Sequence, residues 1–160
     1  SHRAAEIARA NGVVVILNPA PALELPDSFL SVIDILVPNE VETEFLSKVT
    51  VADDEGARLA AQVLFEKGIS TVVLTLGNRG ALLLAGRQSK LAPAYSVKVV
   101  DTTAAGDAFC GALATALASG EKIEDAVAFA NATGALAVTV LGAAPSMPTA
   151  EQVREFLVSN

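Results

Sequence analysis

Val97-Lys98-Val99-Val100-Asp101-Thr102-Thr103-Ala104-Ala105-Gly106-Asp107-Ala108-Phe109 is the stretch on which the reading of this chain turns. A β-branched run leads through small and polar residues into the apolar spacing of a long helix, which runs from about Ala105 to Ser119 with Gly120 behind it. Small side chains at such a strand-to-helix turn let a ligand approach the backbone closely. The amides of Ala104 to Asp107 point along a helix N-terminus, which carries roughly half a positive charge and several unpaired donors, so it favours an anion. Asp107 in that first turn has two explanations. It is a helix-start acid favoured by the dipole and worth under about 1 kcal/mol, or a carboxylate facing a substrate hydroxyl beside a bound phosphate.

Outward from this turn, apolar runs alternate with helical spacing. An opening amphipathic helix closes at Asn11-Gly12, and Val13 to Leu17 reads as a strand covered on both faces, broken by Asn18-Pro19-Ala20-Pro21. Pro26 and Asp27 open a short helical stretch through Phe29, Leu30 and Ile33, and Ile35 to Val37 reads as a second buried strand ended by Pro38. Helical spacing follows through Val41, Phe45 and Leu46, and again through Leu59, Val63 and Leu64 to the stop at Lys67-Gly68. Thr71 to Leu76 is a third strand with a turn at Gly77 to Gly80, and Ala81–Ala85 and Lys90–Tyr95 bracket Gly86-Arg87-Gln88 as a hairpin. Beyond Ser119, a second helix is expected from about Ile123 to Leu141, and a third from Thr149, whose Gln152 gives a capping-box spacing. This order implies an α/β fold with a mostly parallel central sheet and an antiparallel hairpin near one edge. Ligands in such sheets bind beyond the carboxyl ends of the strands, here Pro38-Asn39, Leu76-Gly77 and Val100-Asp101.

Composition removes much chemistry. The 160 residues fit one domain, and at 52% hydrophobic against 18% charged the chain is not disordered. A net charge of −7 argues against nucleic acid, whose affinity comes largely from neutralised phosphates. Cys110 is the only cysteine and reads as a packed helix residue, so no disulfide framework or cysteine-rich zinc site is expected, and a reducing, cytoplasmic location is. His2 is the only histidine and stands at the start, which leaves no histidine triad. Ala126 to Ala150 carries no charge and is long enough to span a bilayer. Its Ala, Val and Thr content, with Asn131, Gly134, Gly142, Pro145 and Pro148, predicts a buried soluble helix and no membrane partner. Without an initiator Met or a secretory signal, the chain is expected to be a piece of a longer protein.

The stretch Asp101 to Phe109 resembles the signature of the ribokinase (PfkB-type) family of sugar kinases. Four more motifs recur in family order: Asn18-Pro19-Ala20-Pro21-Ala22, Pro38-Asn39-Glu40-Val41-Glu42, Thr75-Leu76-Gly77-Asn78-Arg79-Gly80 and Gly142-Ala143-Ala144-Pro145-Ser146. The resemblance covers nearly the whole chain and implies a three-layer α/β/α fold, of which residues 1–160 are the C-terminal, ATP-binding and catalytic portion. The N-terminal half, with most sugar contacts and the lid that forms the family's homodimer, would lie outside it. The motifs look more like those of ribose kinases than of fructokinases or adenosine kinases. The implied reaction is transfer from ATP to the 5-hydroxyl of D-ribose. The alternatives are a PfkB-type kinase for another sugar or nucleoside, and a non-catalytic nucleotide- or anion-binding half.

By resemblance, Asp107 is the general base on the sugar hydroxyl, and the amides of Ala104, Ala105 and Gly106 form the anion hole for the γ-phosphate. Asn39 and Glu42 are equally well explained as a helix cap, while the family's Asn-x-x-Glu motif implies that Glu42 positions Mg²⁺ through water and Asn39 the nucleotide phosphates. Thr75, Gly77 and Gly80 either make a glycine-assisted turn or lie along the nucleotide with Gly106. Asn131 either satisfies a neighbouring carbonyl or lines the adenine pocket. Asp101 and Thr103, with carbonyls of Thr103, Ala137, Val140 and Gly142 and the Ser146 hydroxyl, are either loop architecture or a site for K⁺.

Overall fold

A computed structural model describes residues 1–160. Its elements are α1 (His2–Ala10), β1 (Ile16–Leu17), α2 (Asp27–Leu30), β2 (Ile35–Leu36), α3 (Glu40–Ser47), α4 (Asp54–Glu66), β3 (Thr71–Thr75), β4 (Ala81–Ala85), β5 (Gln88–Ala92), α5 (Ala105–Ala118), α6 (Ile123–Ala137) and α7 (Ala150–Ser159). The chain divides into two compact units, Ser1–Leu76 with Leu82–Leu91, and Gly77–Ala81 with Ala92–Asn160.

In the first unit the sheet order is β1-β2-β3-β4-β5. β1 pairs with β2 in parallel, Ile16 opposite Ile35, and β2 with β3, Ile35 opposite Thr71. The connections into β4 and β5 are too short for a crossover, so these neighbours are antiparallel and the sheet is mixed. Its core gathers Leu36 from β2, Val72 and Leu74 from β3, Leu82 and Leu84 from β4, and Ala57, Ala60, Ala61 and Leu64 from α4. The alanines at 57, 60, 61 lie on one helical face, and their small size lets α4 approach the sheet closely.

The second unit is built on α5 against α6. Ala108, Ala112 and Ala116 recur every fourth residue on α5, with Phe109 and Leu113 beside them, and Ala126, Val127 and Ala130 present the facing stripe of α6; all are buried. The Thr149 capping box is present, with its hydroxyl accepting the Gln152 amide and the Gln152 side chain accepting the Thr149 amide.

Several boundaries differ from the sequence reading. Val97 to Val100 belongs to no strand, and Val100 stands in a bend, its amide taken by the Val138 carbonyl. α6 ends at Ala137 rather than Leu141, since the Val138 carbonyl takes the amides of Val100 (2.7 Å) and Asp101 (3.1 Å) in place of a further helical donor. β5 begins at Gln88 because Gly86 and Arg87 alone make the turn, Gly86 with φ +59°. The first strand keeps only two paired residues at the sheet edge, and Val13 and Val14 ahead of it are 56% and 60% exposed instead of covered on both faces. No helix is long and apolar enough to cross a membrane.

Candidate functional site

The expected residues of the first unit meet at the carboxyl ends of its parallel strands. Asn39 and Thr75 form a parallel bridge, the Thr75 amide donating to the Pro38 carbonyl at 2.9 Å. Asn18 donates its side-chain amide to the Val37 carbonyl at 2.8 Å, which ties the exit of β1 to the same region. Asn39 and Glu42 form a complete capping box: the Glu42 amide donates to Asn39 Oδ1, and the Asn39 amide to Glu42 Oε2, each at 2.9 Å. The capping role is therefore realised. It leaves a buried carboxylate with one oxygen in the cap.

In the second unit, Asp101 organises the turn before α5. Its Oδ1 accepts the Thr103 hydroxyl at 2.7 Å and the Thr103 amide at 2.9 Å, and its Oδ2 accepts the Gly142 amide at 2.8 Å. The Thr103 hydroxyl first, then the two amides, hold this carboxyl below the ordinary carboxylate value of 3.8, because all three bonds favour the charged form. Ala137 and Val140 lie on one turn, Val140 donating to the Ala137 carbonyl at 3.3 Å. Ser146 is buried on a short 3₁₀ turn (Ala144–Ser146), its hydroxyl donating to the Ala143 carbonyl at 2.7 Å.

At the start of α5, Ala104 adopts φ 60°, ψ 11°. A left-handed conformation is strained for a residue with a Cβ. Of the three amides expected in the anion hole, those of Ala104 and Gly106 have no partner, as does that of Asp107, whereas the Ala105 amide donates to the Thr102 carbonyl at 3.3 Å. Nothing beyond its own stretch of helix lies within 4 Å of the position a Gly106 Cβ would take. The Asp107 side chain is exposed.

Gly77 and Gly80 close a tight turn, Gly80 donating to the Gly77 carbonyl at 3.1 Å, both with positive φ. Space over Gly77 is open. Gly80 is buried, and a Cβ there would run into the Ala92 carbonyl and lie 2.6 Å from Ala94 N. Asn131 is half-buried and donates Nδ2 to the Pro93 carbonyl at 2.8 Å. The Val138 carbonyl, the Thr102 carbonyl and the 92–94 backbone are structural participants that sequence reading missed, since a carbonyl leaves no mark on residue type.

A family model described as pfkB family carbohydrate kinase matches residues 2–150. The chain belongs to the pfkB family of carbohydrate kinases. This pfkB-family chain is 47% identical over 154 residues to a ribokinase of Haemophilus influenzae, across 96% of its own length and 50% of the relative's. It is 39% identical over 160 residues to a deoxyribokinase of Salmonella typhi, across 99% of its own length and 52% of the relative's. The solved structure of Arabidopsis thaliana ribokinase complexed with ribose and ATP superposes with a TM-score of 0.90 at 35% identity, covering 96% of this chain and 50% of that one. The fold is thus ribokinase-like α/β/α in part. The chain spans about half the length of the curated relatives it matches.

Proposed function

We propose that this chain is the ATP-binding and catalytic portion of a carbohydrate kinase acting on the 5-hydroxyl of D-ribose. The observation that carries the reading is the exposed Asp107 carboxylate on the first turn of α5, beside the unpartnered amides of Ala104 and Gly106. A site that only bound phosphate would gain nothing from a carboxylate in that place. Asp107 takes the proton of the sugar hydroxyl as its oxygen attacks the γ-phosphorus. The bond from that phosphorus to the bridging oxygen breaks, and ADP leaves. A positioned base contributes about 10²–10⁴-fold, and each amide facing the developing charge about 2.7–4 kcal/mol by analogy with oxyanion holes. Gly77 has open space over it for close approach of the nucleotide, and Asn39 and Thr75 are proposed as nucleotide contacts on the family motifs alone.

No group of three or more His, Cys, Asp or Glu side chains converges in the chain, so a divalent ion would draw on phosphate and water. Mg²⁺ keeps several waters and needs few protein ligands, so the Glu42 carboxylate would suffice to hold it through water. When bound, the ion neutralises phosphate charge. Asp101, whose hydrogen bonds favour its ionised form, with the carbonyls of Thr103, Ala137, Val140 and Gly142 and the buried Ser146 hydroxyl, would offer the one-carboxylate, carbonyl-rich kind of donor set that suits K⁺. Such an ion would lend positive charge near the turn before α5. The deoxyribokinase similarity favours a second acceptor, 2-deoxyribose, as the alternative.

The test is ADP release by Asp107→Asn with ribose and with 2-deoxyribose, alongside ATP affinity. Turnover should fall at least about 10²-fold with ATP affinity nearly intact. Near-normal turnover would remove Asp107 as base.

A further inference from the structure

We propose that Asn131 is a positioning residue, which holds the strap Ala92–Ala94 against Gly80 and so sets the Gly77–Gly80 turn for a nucleoside triphosphate. This rests on the nucleotide reading above. Three observations, all within the second unit, join the parts. Asn131 Nδ2 donates to the Pro93 carbonyl at 2.8 Å across 38 residues of sequence. The backbone of the strap fills the space that a side chain at position 80 would need, with Pro93 C 2.7 Å and Ala94 N 2.6 Å from an ideal Cβ. Gly80 in turn closes the turn through its amide bond to the Gly77 carbonyl at 3.1 Å.

Pro93 carries no N–H, so its carbonyl is the one backbone hydrogen-bonding group it can offer. Asn131 supplies the donor from α6, whose Ala126, Ala130 and Ala132 are fully buried, so the anchor is rigid. A side-chain amide that reads adenine does so with both ends at once, nitrogen and oxygen. With one Nδ2 hydrogen committed to Pro93, Asn131 keeps a second N–H and Oδ1, and the bond to the strap fixes the plane in which they point. An effect that passes through the strap reaches any purine triphosphate alike, whereas a contact to the base would not.

The test uses the intact protein with Asn131→Ala, Asn131→Asp and Asn131→Gln. Amide hydrogen exchange without nucleotide reads the strap, and calorimetric affinities for ATP and GTP read its consequence. In Asn131→Ala and Asn131→Asp, Gly80 should exchange faster, and both nucleotides should weaken by the same factor, about 3- to 10-fold. Asn131→Gln, which keeps the donor, should recover much of both. Should the alanine variant not fold, the Asp and Gln pair decides by itself. Unchanged exchange at Gly80 overturns the strap, and a loss confined to ATP makes Asn131 a base-reading residue instead. Failure of the unaltered protein to bind either nucleotide overturns the nucleotide reading and this role with it, and does so independently of the exchange result.

Discussion

The Asp101 carboxylate accepts the Gly142 amide at 2.8 Å, 41 residues further along the chain. Its other oxygen holds the Thr103 hydroxyl and amide, so one side chain fastens the turn before α5 to the loop after α6.

That arrangement has a pH signature. The three bonds lower the folded-state pKa below the ordinary 3.8, so protonation costs more when folded than when unfolded. The stabilisation is complete above the ordinary value and is lost as pH falls through the lowered one. Urea midpoints taken from about pH 6 to about pH 2 should drop more steeply for the natural protein than for Asp101→Asn over the acid end of that range. Parallel curves would mean that Asp101 is not coupled to folding.

Gly106 and Gly111 offer a matched pair on α5. At neither position would a side-chain methyl meet anything beyond its own stretch of helix within 4 Å, and neither has positive φ. Alanine should therefore be tolerated at both, with a gain of up to about 1 kcal/mol at the mid-helix Gly111 and less in the first turn. Only at Gly106 would the new methyl stand over an unpartnered amide. Calorimetry should find ATP affinity lost in Gly106→Ala and kept in Gly111→Ala; equal affinities would place the phosphates elsewhere.

Gly80→Ala should be costly. Its φ of +99° disfavours any side chain, and the added carbon would meet the 92–94 backbone, which cannot swing aside as a side chain would. A loss of at least about 2 kcal/mol is expected from a denaturant titration.

Thr43 gives the opposite expectation. Its hydroxyl is fully buried on α3 without a hydrogen-bond partner. Replacing it by the similarly shaped valine removes an unsatisfied polar atom, which should stabilise by about 1–3 kcal/mol. Thermal melting of Thr43→Val is the measurement, and a lower melting temperature would mean that the hydroxyl has a partner in solution.

Much of this was legible in residue order because the deciding forces were local. The Asn39/Glu42 and Thr149/Gln152 caps follow from side-chain oxygens three residues from the amides they reach, and both are present. β3 lies within a residue of the expected strand because Val72, Val73 and Leu74 are buried wherever the run is placed. What escaped was set by distant partners. Val97 to Val100 has the composition of a strand, yet strand formation needs a neighbour that residue type does not announce. The end of α6 was hidden because its terminator is a pair of amides from Val100 and Asp101. The site motifs were visible as spacing, but the left-handed turn at Ala104 was not, because alanine rarely adopts it.

The brevity of β1 matters outside catalysis. Two rungs, with two bare valines ahead of them, leave backbone groups on β1 to which a further strand, of the same protein or of another chain, can pair. The surplus of negative charge, spread over the whole chain, offers those groups little protection once salt screens it.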